Sequence, residues 1–339
     1  MPRVSVCIPV HNRPRELRAA VDSVLSQDFP DFEVLVLDDG STDETRAVAE
    51  GIDDRRVRVE ANPRNLGIPA SRNRCLALAR GDYIAWLDSD DLMAPRRLSR
   101  QVRCLDRHPD IATLGGWART FHDDGRRGKL LAKPSRHRYL TPWLLFRCCH
   151  INTTLMGRAE VMRSIGYREA FRVSEDYDFS VRLTARHRVA NLPAVLSLQR
   201  QHAGRTTAGS SDLGFATKCQ LAAAQFERLG LAADDRDLAF HYTLTRLGRD
   251  DLRSAGFVDR AADWLGRIAA ANRRSKALDA DALADVLQAV WTQITLKRIA
   301  ACGLAEGLRG HRRFARDGRL LRLLAANLGP SADLDRRPR

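Results

Sequence analysis

Carboxylates gather at two places where an apolar run ends. Asp38-Asp39-Gly40-Ser41 follows Phe32–Leu37, and Asp88-Ser89-Asp90-Asp91 follows Tyr83–Leu87. Five acids on one edge of a sheet repel one another, and a bound cation or the donors of a ligand would relieve that repulsion. Acids also start helices for stability alone, an account that covers Asp43 and Glu44. It does not explain two clusters at equivalent strand ends, where ligands of open α/β sheets bind. Nucleotide chemistry of the glycine-loop kind is excluded. Pro9-Val10-His11-Asn12-Arg13, after the first apolar run, holds no glycine, and no GxxxxGK[ST] loop occurs anywhere.

The elements that must position these acids alternate in type. Val4–Pro9 reads as a strand, followed by a helix from Asn12 to Gln27 opened by Asn12 and Pro14. Phe32–Leu37 is a second strand, and Ser41-Thr42-Asp43-Glu44 matches a capping box with Ser41 as N-cap. Val57–Val59 is a short strand, Pro69–Arg80 a helix stopped by Gly81, and Tyr83–Leu87 the next strand. Near-continuous apolar strands alternating with helices imply an α/β fold with a mostly parallel sheet covered on both faces. Residues 101–212 are less regular, with a polar, basic loop at Asp123–Lys133 and a helix near Glu175–Arg186. Beyond about residue 212 the texture becomes Ala/Leu/Arg at helical spacing: Leu221–Leu229, Leu238–Leu247, Phe257–Ala270, Leu278–Ile299 and Arg319–Leu328. This predicts an all-helical domain over 213–330, with a frayed tail at 331–339. Paired helices of similar length suggest a TPR-like array, but no clean repeat period emerges.

A chain of 339 residues exceeds one ordinary domain of ~100–200 residues, in keeping with that division. At 44% hydrophobic and 29% charged residues it is not a disordered chain. No apolar run reaches the ~18 residues of a membrane span. Met1-Pro2-Arg3 leads straight into a strand pattern without a secretory leader, so a cytoplasmic location is expected. Seven cysteines, an odd number without a CxxC, fit reduced structural thiols. The net charge of +14 is unevenly spread: −2 over residues 1–100, +10 over 101–210 and +6 over 211–339. Such a surplus attracts phosphate of any source. No zinc finger, RNA-recognition signature or helix-turn-helix accompanies it, and acidic strand ends repel nucleic acid, so no nucleic-acid partner is expected.

Taken in order, several segments resemble the family 2 glycosyltransferases of the GT-A fold. They are Val4-Ser5-Val6-Cys7-Ile8-Pro9-Val10-His11-Asn12-Arg13, Asp38-Asp39-Gly40-Ser41-Thr42-Asp43, and Asn65-Leu66-Gly67 through Ser71-Arg72-Asn73. Gly81-Asp82-Tyr83-Ile84-Ala85-Trp86-Leu87-Asp88-Ser89-Asp90-Asp91 and Ser174-Glu175-Asp176-Tyr177-Asp178 complete the set. The resemblance covers about residues 1–205 and leaves the helical tail outside. It implies a nucleotide-sugar-binding half over 1–110 and an acceptor-binding half over 111–212.

The resemblance also implies roles. Pro9, Val10, His11 and Asp39 would receive the base, and a carboxylate at Asp39 accepting an imide N–H favours a UDP or dTDP donor. Val10 and His11 stand where many relatives have Thr and Tyr, which removes a hydroxyl contact but leaves a ring that can stack. Arg72 would support the base or the diphosphate through its fork of donors. Asn73 is expected to serve the local turn. Asp88-Ser89-Asp90 matches the DxD motif: Asp90 would bind Mg²⁺ or Mn²⁺ with the donor diphosphate, and Asp88 the ribose or the metal's water shell. His202 would touch the diphosphate or the metal. Asp176 would be the base that takes the acceptor hydroxyl's proton, placed by Ser174 as N-cap in the first turn of a helix. One base and a direct displacement predict inversion. Trp86 and Trp117 read as core, and Trp143 as an acceptor-stacking face.

The expected partners are a nucleotide-sugar donor and a glycan or lipid-linked acceptor. The surplus of +10 over 101–210, with Arg126, Arg127, Lys129, Lys133, Arg136 and Arg138, adds an expected peripheral contact with an anionic membrane. The competing reading is a non-catalytic scaffold acting through the helical tail. Carboxylates kept at 39, 88, 90 and 176 argue against it.

Overall fold

A computed structural model of the chain describes residues 1–202 and 211–308; the expected helix at Arg319–Leu328 and the tail at 331–339 lie outside them. Contacts divide the chain into two compact units, 1–135 with 150–202 and 136–149 with 211–308 among the described residues.

The first unit is built on nine strands: β1 (Val4–Val10), β2 (Phe32–Asp38), β3 (Val57–Ala61), β4 (Tyr83–Trp86), β5 (Leu92–Met93), β6 (Ile111–Phe121), β7 (Arg127–Leu131), β8 (Met156–Arg158) and β9 (Arg188–Arg200). Their order is β3-β2-β1-β4-β8-β6-β9-β5, with β7 paired to β6. The first four strands are parallel, as the strand–helix alternation predicts. Beyond β4 the sheet is mixed: β8 runs antiparallel to β4 and β6, while β9 is parallel to β6. Val4, Val6, Ile8, Val34, Val36 and Ala85 are fully buried, each large aliphatic side chain contributing about 1.5–3 kcal/mol by leaving water. They form one core with Leu17, Ala20, Val21 and Val24 of α1 (Pro14–Leu25), a stripe at helical spacing. α2 (Thr45–Glu50), α3 (Ile68–Leu78) and α4 (Arg97–Arg107) follow, and α5 (His137–Trp143) belongs to the second unit. α6 (Ala159–Ile165) and α7 (Glu175–Thr184) complete the first.

Three local expectations are corrected. No capping box forms at Ser41: the helix begins at Thr45, Asp43 accepts from Thr45 N at 3.0 Å, and Ser41 Oγ instead accepts from Asn12 N at 3.0 Å. Ser174 occupies the N-cap position of α7 at φ +60° without a side-chain capping bond. The polar stretch from Asp123 to Lys133 is not all loop, because Arg127–Leu131 pairs with β6 as an edge strand.

The second unit holds α5, α8 (Ser211–Arg228), α9 (Asp235–Arg246), α10 (Arg249–Arg253), α11 (Phe257–Ser275), α12 (Ala280–Cys302) and α13 (Leu304–Leu308). Phe226, Trp264, Ile268, Val286, Leu287 and Trp291 centre its core, together with Leu145 and Phe146 from the segment after α5. His241 of α9 is buried there. Trp264 Nε1 donates to its Nδ1 at 3.1 Å, so Nε2 carries the proton and donates to the Leu145 carbonyl at 2.6 Å. Among the described residues no helix is long and apolar enough to cross a membrane, and no disulfide joins the seven cysteines.

Candidate active site

The carboxyl ends of β1, β2 and β4 lie side by side in the sheet, so the segments after them meet. After β1, His11 Nδ1 donates to the Asp39 carbonyl at 3.0 Å, and Asp39 N donates to the Val10 carbonyl at 2.7 Å. The stretch Pro9-Val10-His11 is thereby joined to Asp39. Asp38 is spent on its own turn, accepting from Ser41 N at 3.2 Å.

Asp39 is buried and works hard as an acceptor. Its Oδ1 takes Asn62 Nδ2 at 2.6 Å and Leu66 N at 2.9 Å, and its Oδ2 takes Gly67 N at 2.9 Å. A carboxylate has about four lone-pair positions, so one on Oδ2 stays available to a ligand donor. Gly40 makes the turn possible: it sits at φ +65°, and a Cβ there would lie 2.3 Å from the Arg64 carbonyl carbon.

Asp88 follows β4. Its N donates to Thr153 Oγ1 at 3.2 Å, and its Oδ1 accepts from Asn152 Nδ2 at 3.3 Å and Arg72 Nη2 at 3.5 Å. Burial raises its pKa and the charges of Asp90 and Asp176 raise it further, while Arg72 pulls it down. Asp90 Oδ2 lies 2.8 Å from His202 Nε2 and 3.9 Å from Arg13 Nη2. Asp91 is buried, accepts from Arg200 N at 3.0 Å, and is pushed well up by burial and by Asp88 and Asp90. The acidic strand end is therefore crowded with negative charge.

Arg72 stands elsewhere than expected. It is 6% exposed, its guanidinium lies 5.8 Å from the Trp86 ring and 5.4 Å from the Tyr167 ring, and Nη1 donates to Glu175 Oε1 at 2.5 Å. Its fork is used on protein carboxylates rather than offered to a nucleotide. Burial works against its charge, but Glu175 and Asp88 more than offset that and raise its pKa. Burial in turn pushes Glu175 up to about 7 against the pull of Arg72.

Asp176, next along α7, accepts from Tyr177 N at 2.8 Å. Its charge acts on Asp88, Arg72 and Glu175, which places it in the same electrostatic cluster. The start of α7 is anchored by fully buried Asp178, which pairs with Arg168 and, at 2.8 Å, with Arg182. Asn73, within α3, bonds the Tyr167 backbone through both its amide groups, a tie across 94 positions rather than the local turn expected of it.

Trp86 is core, and Trp117 donates to the Lys133 carbonyl at 3.0 Å. Trp143 packs on the core of the helical unit, so the acceptor-stacking role expected of it is withdrawn. Asn62, Asn152, Thr153, Arg13 and Arg200 were not singled out from sequence. Asn62 directly follows β3, and inspecting that strand end, as the other two were inspected, would have found it. Asn152 and Thr153 lie in an irregular stretch that carries no such signal.

Among the described residues, no three His, Cys, Asp or Glu side chains are spaced to hold a metal ion by themselves. Asp88 and Asp90, with His202 against Asp90, instead form a two-carboxylate set in mutual repulsion. That donor set fits a hard divalent cation that draws its remaining ligands from phosphate and water.

The family model for glycosyl transferase family 2 matches residues 5–165, the span that carries β1 to β4 and both acidic strand ends. Residues 5–165 belong to the family 2 glycosyltransferases. Among relatives of this glycosyltransferase chain is the putative glycosyltransferase EpsE of Bacillus subtilis (strain 168). It is 36% identical over 191 residues, which cover 53% of this chain and 66% of that protein, just under two thirds of its length. The fold is similar to that of S. aureus TarS 1-349 in complex with UDP-GlcNAc, with a TM-score of 0.56 at 19% identity over 91% of each chain. It is also similar to the mannosyltransferase PcManGT from Pyrobaculum calidifontis in complex with GDP-Man and Mn²⁺, with a TM-score of 0.51 at 17% identity over 97% of this chain and 87% of that one.

Proposed function

We propose that this chain transfers a sugar from a nucleotide-diphosphate sugar, UDP- or dTDP-linked, to a hydroxyl of a glycan or lipid-linked glycan, with inversion at the anomeric carbon. The observation that carries the reading is that one guanidinium, Arg72, bonds both Asp88 at the acidic strand end and Glu175, the residue before Asp176 at the start of α7. Family membership and the nucleotide-sugar ligands of the two similar structures support it.

In this reading Pro9, Val10 and His11 line the base, and the remaining lone pair on Asp39 Oδ2 accepts its imide N–H. Asp90 and Asp88 hold Mg²⁺ or Mn²⁺ together with the donor diphosphate, and His202 steadies Asp90 from behind. The metal, when bound, neutralises charge building on the departing diphosphate. Asp176 takes the acceptor hydroxyl's proton as that oxygen attacks the anomeric carbon. Arg72, bonded to both Asp88 and Glu175, fixes the distance between the donor side and the base helix.

The test is Asp176→Asn. It is expected to keep Mn²⁺-dependent UDP binding by calorimetry and to lose turnover by ~10²–10⁴-fold, the usual contribution of a general base. Full turnover in that variant would move the base elsewhere, and loss of nucleotide binding would make Asp176 part of the donor pocket. We extend the proposal to an acceptor that carries phosphate and is met at an anionic membrane surface, because the charge surplus of +10 lies over 101–210 rather than on the donor side.

A further inference from the structure

Arg97 opens α4 and is completely buried, yet all its hydrogen bonds go to neutral acceptors. Nη1 donates to the Thr153 carbonyl at 2.6 Å, Nη2 to the carbonyls of Trp86 at 2.9 Å and Leu155 at 3.4 Å, and Nε to Gln101 Oε1 at 2.8 Å. Gln101, one turn further along α4, donates to the carbonyls of Leu114 at 2.6 Å and Thr154 at 2.9 Å. Burying a cation without a counter-ion beside it is costly, so the position demands a reason. Burial pulls the Arg97 guanidinium down to about 9, with Asp88 and Asp91 pulling the other way.

The reason lies in what the fork joins. The β4–β8 ladder runs from Tyr83↔Arg158 to Ala85↔Met156 and then ends. Just past it the backbone opens into the turn at Asn152–Thr154, where Leu155 N serves the Asn152 carbonyl and the Thr153 and Thr154 carbonyls are met by the side chains of Arg97 and Gln101. A planar guanidinium in a fixed fork joins the Thr153 and Leu155 carbonyls on one side to the Trp86 carbonyl at the end of β4 on the other, beside the backbone bond from Trp86 N to the Leu155 carbonyl at 2.9 Å. Both segments so joined also hold Asp88. It stands two residues past Trp86, donates its N–H to Thr153 Oγ1, and accepts from Asn152.

We propose that Arg97 is a positioning residue whose fork locks the end of β4 to the 152–155 turn and so sets where the Asp88 carboxylate meets the donor diphosphate. The clause about the donor rests on the glycosyl-transfer reading above; the lock does not.

Arg97→Lys keeps the charge and loses the fork. Hydrogen exchange on the full chain is expected to run at least tenfold faster in peptides spanning 86–91 and 152–156, with β1 and β2 unchanged. The same variant is expected to bind UDP with Mn²⁺ at least tenfold more weakly while its affinity for uridine is unchanged. Wild-type exchange in the two peptides, or equal acceleration across the whole unit, overturns the lock. Local acceleration with unaltered UDP affinity overturns the link to the diphosphate. If Arg97→Lys does not fold, Gln101→Met, which removes the acceptor of Arg97 Nε at similar volume, decides by the same exchange comparison. Failure of the unaltered chain to bind UDP with Mn²⁺ strikes the donor reading instead, and the exchange pattern then judges the lock alone.

Discussion

Asp90 faces His202 and Arg13 at one oxygen, and it sits close enough to Asp88 and Asp91 to raise both their pKa values. Asp90→Asn removes the negative charge and turns one of the two acceptor oxygens into a donor NH2. It is expected to lower Mn²⁺-dependent UDP affinity at least tenfold by calorimetry while leaving uridine affinity alone. Unchanged affinity with Mn²⁺ would take Asp90 out of the metal site. The carboxylates themselves were legible in the sequence, because acids directly after apolar runs mark strand ends whatever the packing. Arg72 was not. Whether a guanidinium turns toward a ligand or inward to Glu175 depends on residues 103 positions apart in the chain, and spacing cannot encode that. Arg97 was equally hidden, since its partners are backbone carbonyls, which every sequence has.

Among the elements, β1 to β4 and the helices α1, α3, α7, α9 and α12 were predicted to within a few residues, for burial forces apolar side chains into period-2 or period-3.6 patterns, whereas α4 and the long strands β6 and β9 were not predicted. Helix starts were read less well. Ser41 and Ser174 carry the right chemistry for caps, but Ser41 is claimed by Asn12 across the β1–β2 edge and Ser174 adopts φ +60°. Edge strand β7 was missed because one partner and half-exposed residues leave no alternating pattern to see. The helical unit offers its own test in His241, which ties α9 to Trp264 of α11 and to Leu145. Burial pulls its pKa down to about 4 from the ordinary 6.5. Between those values the unfolded chain binds the extra proton, so the stabilisation is complete above pH 6.5 and is lost as pH falls to 4, by about 3 kcal/mol. Urea unfolding from pH 7 to 4 is expected to show a shallower fall for His241→Gln than for the unaltered chain. Equal falls would mean that His241 is not buried neutral.

At the scale of the whole molecule several of the basic side chains are already paired with acids. Arg126 pairs with Asp124, Arg138 with Asp279 and Arg200 with Asp123. Arg127 and Lys129 are exposed on β7, beside Leu130 at 41% exposure. Basic residues near an anionic surface contribute about 1 kcal/mol each. Co-sedimentation with phosphatidylserine-containing vesicles is therefore expected at low salt and release at high salt, as screening demands. No binding at low salt, or binding indifferent to salt, sinks the membrane proposal.

The path of the chain between its two units also governs the order in which they can be completed. Translation delivers residues 136–149, with Leu145 and Phe146, before any of the helices that bury them. While the ribosome makes the rest of the sheet unit and then α8 to α12, those side chains have no native shelter. The nascent protein thus carries an adhesive segment until those helices have been made, a natural point for a chaperone to hold. It becomes inert only when Trp264 and Trp291 have emerged to cover it.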